Sequence, residues 1–325
     1  MENLFDLAAS ANQPGGRGVP DTEVPPATAW TQDAAKRALD ELFSLTFQYK
    51  SSQDFYDLVQ FVAGFRFYSP FNAMLVHIQM PGATFVAPPH RWLGNYGRRI
   101  KPGARPLVIL QPMGPVMFVF DVSHTEGAPL PPEVEHPFDV RKGHVGSGLE
   151  FVVENAKRDG IRIIESDRGS QSAGSIRGPL RNVRDSQPFP AGVDKDGRRL
   201  FVDIPVRYDL VIGTKTSRES QYVTIVHELA HLYCGHLGTP DSKWWPDRRG
   251  LCHDVQEFEA ESVAYMVCAR SGIDSPAEQY LAGYVEKQEQ VPSISLECVM
   301  KAAGLIETMS RGRVKPRKPS KNEAG

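Results

Sequence analysis

The sequence predicts an α+β protein of two domains, an N-terminal helical domain with a small β-sheet and a C-terminal mixed domain. Three observations predict it. The chain has 325 residues, enough for two cores. Its first half reads as helices followed by two strand-like runs. Its second half opens again with a helix and short strands, after a Pro-, Glu- and His-bearing stretch, 127–148, that reads as a linker.

The elements follow in chain order. Residues 1–28 are rich in Pro, Gly and Ala and lack periodicity; Asn12-Gln13-Pro14-Gly15-Gly16 and Pro25-Pro26 mark a disordered arm. The first domain spans 29–126. From Asp33 the spacing of Ala34, Ala38, Leu42 and Leu45 predicts a helix. A second helix, Gln53–Phe65, carries Phe55, Leu58, Val59 and Val62 on its apolar side. A third follows Tyr68, capped by Ser69 or Asn72 with Pro70 in its first turn. Pro106–Leu110 and Val116–Val122 read as strands.

The second domain spans 149–309. Leu149–Asp159 reads as helix, and Ile161–Glu165, Arg199–Ile204 and Tyr208–Ile212 as strands, with an Asp-Gly turn at Asp196-Gly197. Gly169–Arg184 is rich in Gly, Ser and Arg and reads as a loop or hairpin. Residues 310–325 form a basic tail without structural signals, including Arg311, Arg313, Lys315 and Arg317.

Composition narrows the class. A net charge of −2 argues neither for nor against nucleic acid. No apolar run reaches a membrane span, and no export signal is visible at the N-terminus. Cys234, Cys252, Cys268 and Cys298 form no Cys-x-x-Cys and read as reduced thiols, so a cytoplasmic protein is expected.

The chemistry concentrates at His227-Glu228-Leu229-Ala230-His231. On a helix His227 and His231 share a face, and two imidazoles one turn apart can bind Zn²⁺. Glu228 beside them can act as a general base. Thr216 and Glu219 give a capping-box pattern ahead of the run, and Gly235, Gly238 and Pro240 stop it.

A catalytic zinc needs a third ligand. The His-Glu-x-x-His-x-x-Gly-x-x-His pattern fails, because Cys234 and Leu237 stand at the Gly and third-His positions and Gly235 and His236 are each one out of register. Downstream, Glu257, Ala260, Glu261, Ala264 and Cys268 share a helical stripe. Two acids on a packing stripe call for a partner. Glu257 is the expected ligand, with Glu261 accepting a hydrogen bond from a ligand histidine; the reverse assignment stays open. Glu259 is expected to be solvated. His253, or a Cys-rich site with Cys234 and Cys252, are weaker alternatives.

These two helices resemble the ImmA/IrrE-type zinc endopeptidases and the C-terminal domain of ArdC-like antirestriction proteins. The resemblance implies a zincin-like metallopeptidase domain with Zn²⁺ on His227, His231 and Glu257, Glu228 as base, and a protein or peptide substrate. Asp241–Gly250 is a long insert for that family, able to shape a cleft or cap the site. Tyr233 and Tyr265 are candidate oxyanion donors by proximity in sequence.

The first domain resembles the ArdC-like N-terminal domain through Ser69-Pro70-Phe71-Asn72-Ala73, the Trp92 region and Gly97-Arg98-Arg99-Ile100-Lys101-Pro102-Gly103. That implies single-stranded DNA as partner. Arg98, Arg99, Lys101 and Arg105 would contact phosphates, and Trp92, Tyr96 and Phe85 would stack on bases. A DNA-binding antirestriction or regulatory protein with a structural metal site is the rival reading.

Overall fold

The computed structural model describes residue 49 and residues 51–111, 114–130, 144–167, 174–180, 184–288 and 290–317. The arm 1–28 and the helix expected from Asp33 lie outside these residues. So do parts of the 127–148 linker and of Gly169–Arg184, and the tail beyond Arg317. The architecture is α+β, and the chain divides into two compact units, 1–139 and 140–325.

In the first unit, α1 (Ser52–Gly64) starts at Ser51, whose hydroxyl accepts from the Asp54 N–H, and buries Phe55, Leu58, Val59 and Val62. α2 (Pro70–Gln79) is capped by Ser69, with Pro70 in its first turn. Asn72 has a different task. Its amide brackets Leu110, donating to the carbonyl at 3.1 Å and accepting from the N–H at 2.9 Å. Gln79 brackets Val108 in the same way, at 2.9 Å each way. The two amides satisfy backbone groups of β3 (Leu107–Gln111), an edge strand of the antiparallel sheet β1–β4–β3 with β1 Val86–Ala87 and β4 Gly114–Asp121. α3 (Pro89–Tyr96) leads into β2 (Arg98–Ile100), which pairs with β5 (Thr125–Gly127).

In the second unit, α4 (Gly148–Ala156) and a 3₁₀ turn lead to β6 (Ile161–Ser166). β10 (Tyr208–Gly213) lies between β6, to which it is parallel, and β7 (Gly174–Arg177), to which it is antiparallel. β8 (Ser186–Val193) and β9 (Arg199–Pro205) form a separate ribbon closed by the Asp196-Gly197 turn. Pro188, Pro190 and Gly192 hide β8 from sequence patterns; a two-stranded ribbon has enough free edge to accommodate them.

Among the described residues four helices complete the unit: α5 (Arg218–Tyr233), α6 (His253–Arg270), α7 (Pro276–Lys287) and α8 (Leu296–Arg311). The start of α5 differs from the expected capping box. Ser217 is the cap and accepts from the Ser220 N–H, while the Thr216 hydroxyl bonds the Gly213 carbonyl and closes the turn after β10. The basic tail is also corrected in part. α8 continues to Arg311, and the strap 312–317 folds back. Asn155 donates to the carbonyls of Met309 and Gly312 and accepts from the Val314 N–H. Arg317 pairs with the fully buried Asp159 and lies over the rings of Trp244 and Trp245, 5.1 and 5.3 Å from their centroids. Among the described residues no helix is long and apolar enough to cross a membrane.

Candidate metal centre

α5 packs on β7 and β10 and against α6. Its apolar residues Tyr222, Ile225, Val226 and Leu229 are buried, which turns His227 and His231 toward α6. Gly235 ends the helix in the left-handed region, at φ +87. A Cβ there would lie 2.3 Å from the Pro246 carbonyl oxygen, so the close passage of the 241–250 insert also requires glycine.

Three side chains converge. His227 Nε2 and His231 Nε2 are 3.2 Å apart. Glu257 Oε1 is 3.3 Å from His231 Nε2, and Glu257 Oε2 is 3.6 Å from His227 Nε2. Bonds of about 2.0–2.2 Å in a tetrahedron set neighbouring ligand atoms roughly 3.3–3.6 Å apart. The separations, taken to the two oxygens of one carboxylate, fall near that spacing, and the donor set of two imidazoles and one carboxylate could hold a metal ion. Burial first, then His231, lowers the His227 pKa to about 4, so at neutral pH its ring is the uncharged form that ligates.

Glu228 lies on the flank. Its Oε2 accepts from the Ile176 N–H of β7 at 2.9 Å. Burial raises its pKa, while His231 and that N–H oppose the rise. The contact depends on Gly174. A Cβ there would meet Thr224 Cγ2 at 2.3 Å, so the strand can approach the helix this closely only with glycine.

Around this triad the expectations sort out unevenly. Glu261 Oε1 is 3.6 Å from His227 Nδ1, on the predicted side of the ring but longer than a hydrogen bond. Burial and Glu257 push its pKa up to about 7. His253 Nδ1 is 3.4 Å from Glu257 Oε1, yet the His253 side chain is 80% exposed and lies outside the converging group. Tyr233 is corrected as an oxyanion donor, because it is buried and donates to Asp159 at 2.8 Å. Tyr265 is buried as well. A phenol that sequence reading did not single out is Tyr280 on α7. It is 40% exposed, and partial burial, then Glu261 and Glu257, raise its pKa.

Glu259 is the largest correction. It is 0% exposed, because it lies on the side of α6 that is buried with Val255, Phe258, Ala260, Ser262 and Val263. Arg248 of the insert binds it through two nitrogens at 2.6 and 2.7 Å. The Ser295 N–H donates to it at 2.7 Å, and His236 Nε2 lies 2.9 Å away. His236 Nδ1 is in turn 3.0 Å from His231 Nδ1. Cys234, His236 and Glu259 thus form a second group with metal-ligand atoms in reach of one another. The Arg248 guanidinium already fills the cation's place beside that carboxylate. Cys252 belongs to neither group and is exposed. Insert residues Trp245 and Arg248 face inward, Trp245 bonding the Gly238 carbonyl at 2.8 Å, so the insert braces the site from behind.

The expected DNA surface is altered too. Trp92 is fully buried with Phe85, Ala87 and Phe120, and its Nε1 donates to the Phe120 carbonyl at 2.9 Å, so neither Trp92 nor Phe85 can stack on a base. Tyr96 packs against both rings and is half-buried. Arg98 is spent on Thr125 and the Ala128 carbonyl, and Lys101 on the Ser123 carbonyl. Arg99 and Arg105 are exposed.

No family model matches this chain, and no solved structure matches it. It is 21% identical over 313 residues to an uncharacterized protein of Bacillus anthracis, a match that covers 80% of this chain and 48% of that protein. The chain therefore spans about half the length of the curated relative it matches.

Proposed function

We propose that the second unit is a zinc-dependent endopeptidase, a zincin-like domain similar to the ImmA/IrrE type. One observation carries the reading: the two imidazole Nε2 atoms and the Glu257 carboxylate converge at separations of 3.2, 3.3 and 3.6 Å beside a partly buried Glu228. Two histidines and one Glu leave a fourth position open, as a catalytic zinc requires. Bound there, the ion would supply Lewis acidity toward a substrate carbonyl and toward water.

The rest belongs to the chain. The Ile176 N–H fixes one oxygen of Glu228 and leaves the other free. That oxygen takes the proton of the attacking water and returns it to the departing amine nitrogen. β7 is the edge of its sheet and runs past Glu228, which suits an extended peptide substrate. As donor to the developing negative charge on the carbonyl oxygen we propose Tyr280, exposed on α7 and near enough to Glu261 and Glu257 for their charges to raise its pKa. Glu228→Gln should retain the metal and lose about 10²–10⁴-fold in cleavage of a degenerate peptide library. Cleavage by that variant within tenfold of wild type sinks the base assignment.

For the first unit the reading is single-stranded DNA binding of the ArdC-like kind, now resting on exposed Arg99 and Arg105 rather than on Trp92. On this account the whole protein acts in the cytoplasm, in antirestriction or another task of a mobile element. The rival, in which DNA binding protects and the metal only stabilises, separates from it by Glu228→Gln: full antirestriction in cells with no peptidase activity favours the rival.

A further inference from the structure

We propose that His236 and Glu259 are positioning residues that lock the ring of His231 in its metal-binding tautomer, an inference that rests on the metal reading above.

Arg248 is always charged and donates twice to Glu259, at 2.6 and 2.7 Å. With the Ser295 N–H also donating, at 2.7 Å, the carboxylate is an acceptor on every side. The contact from His236 Nε2 at 2.9 Å is therefore an N–H donating to Glu259. Arg248 already balances the charge of this carboxylate, and both His236 and Glu259 are buried. A second cation there would be uncompensated, so His236 is neutral. A neutral imidazole has one N–H, which leaves Nδ1 of His236 as an acceptor. His231 Nδ1, 3.0 Å away, must then be the donor.

The consequence is at the far nitrogen. His231 Nε2 carries no hydrogen, and its lone pair faces His227 Nε2 at 3.2 Å and Glu257 Oε1 at 3.3 Å. Three buried or half-buried members, Arg248, Glu259 and His236, thus decide the state of an atom none of them touches. A histidine ligand commonly donates its second N–H directly to a carboxylate or carbonyl. Here a second histidine is interposed, and the carboxylate sits on α6 two residues beyond Glu257.

The test uses the full chain and two readouts. In metal-free wild type, long-range ¹H–¹⁵N spectra, assigned through His231→Gln, should show His231 protonated at Nδ1 and bare at Nε2. Co²⁺ titration followed by its visible absorption should show His236→Ala weakened about 10–100-fold. His236→Asn, whose carbonyl can take the place of the lost acceptor, should stay within about threefold of wild type. A His236→Ala protein that binds Co²⁺ as wild type does, or a His231 protonated at Nε2, overturns the proposal. Should His236→Ala fail to fold, the wild-type tautomer decides alone. If wild type takes up no Co²⁺, the metal reading fails, while the tautomer still decides the relay.

Discussion

Replacing Arg317 by Ala should destabilise the second unit well beyond what a surface residue would. Arg317 bonds Asp159 through two nitrogens, and Asp159 is fully buried. Removal does not leave the carboxylate bare. Arg158 still donates to it, at 3.2 and 2.8 Å, and Tyr233 at 2.8 Å. The loss is therefore smaller than the roughly 3–5 kcal/mol of a fully orphaned buried charge. Contact with Trp244 and Trp245 adds about 0.5–2 kcal/mol. Together these give about 2–4 kcal/mol, or roughly 6–12 °C in Tm for a domain of this size. The pH dependence has a definite sign. Burial alone would raise the Asp159 pKa; hydrogen bonds and charge from Arg317 and Arg158 overcome it and hold the group below its usual 3.8. Its stabilisation is present above pH 3.8 and fades as pH falls through the depressed value. Without Arg317 the burial effect gains, so acid unfolding should begin at higher pH. Urea unfolding and a pH series, with exposed Lys315→Ala as control, measure both effects. Equal stability and equal acid limbs for the two variants would refute the strap's role.

Two further predictions concern the site and the first unit. Tyr280→Phe should lower kcat for peptide cleavage about 10²-fold with little change in KM, read from steady-state rates; an unchanged kcat removes Tyr280 from the chemistry. Arg99→Ala/Arg105→Ala should weaken binding to a single-stranded oligonucleotide and flatten the salt slope by about 1.4, measured by fluorescence anisotropy. A slope equal to wild type would move the DNA contacts elsewhere.

Much of this was legible in the sequence where chemistry and helical phase coincide. His227 and His231 stand one turn apart in a well-capped helix, and Glu257 stood out as an acid on a packing stripe. Ser69 and Pro70 announced their helix through backbone chemistry alone. Failures came where the deciding partner is far along the chain. Glu259 reads as surface until Arg248 and His236 arrive from an insert and a helix end. Arg317 reads as tail until it meets Asp159, 158 residues earlier. Trp92 looks like a stacking platform beside its basic loop, but its indole N–H meets a strand 28 residues later. β8 was hidden by prolines that only a ribbon edge tolerates.

The account's central claim is that three side chains from two helices hold one ion. Metal content per chain, determined by mass spectrometry on protein purified without added chelator, tests it most directly. Wild type should carry one equivalent of zinc, and His227→Ala and Glu257→Ala close to none while remaining folded. Wild-type protein no richer in zinc than His227→Ala, even after incubation with the metal and dialysis, would contradict it.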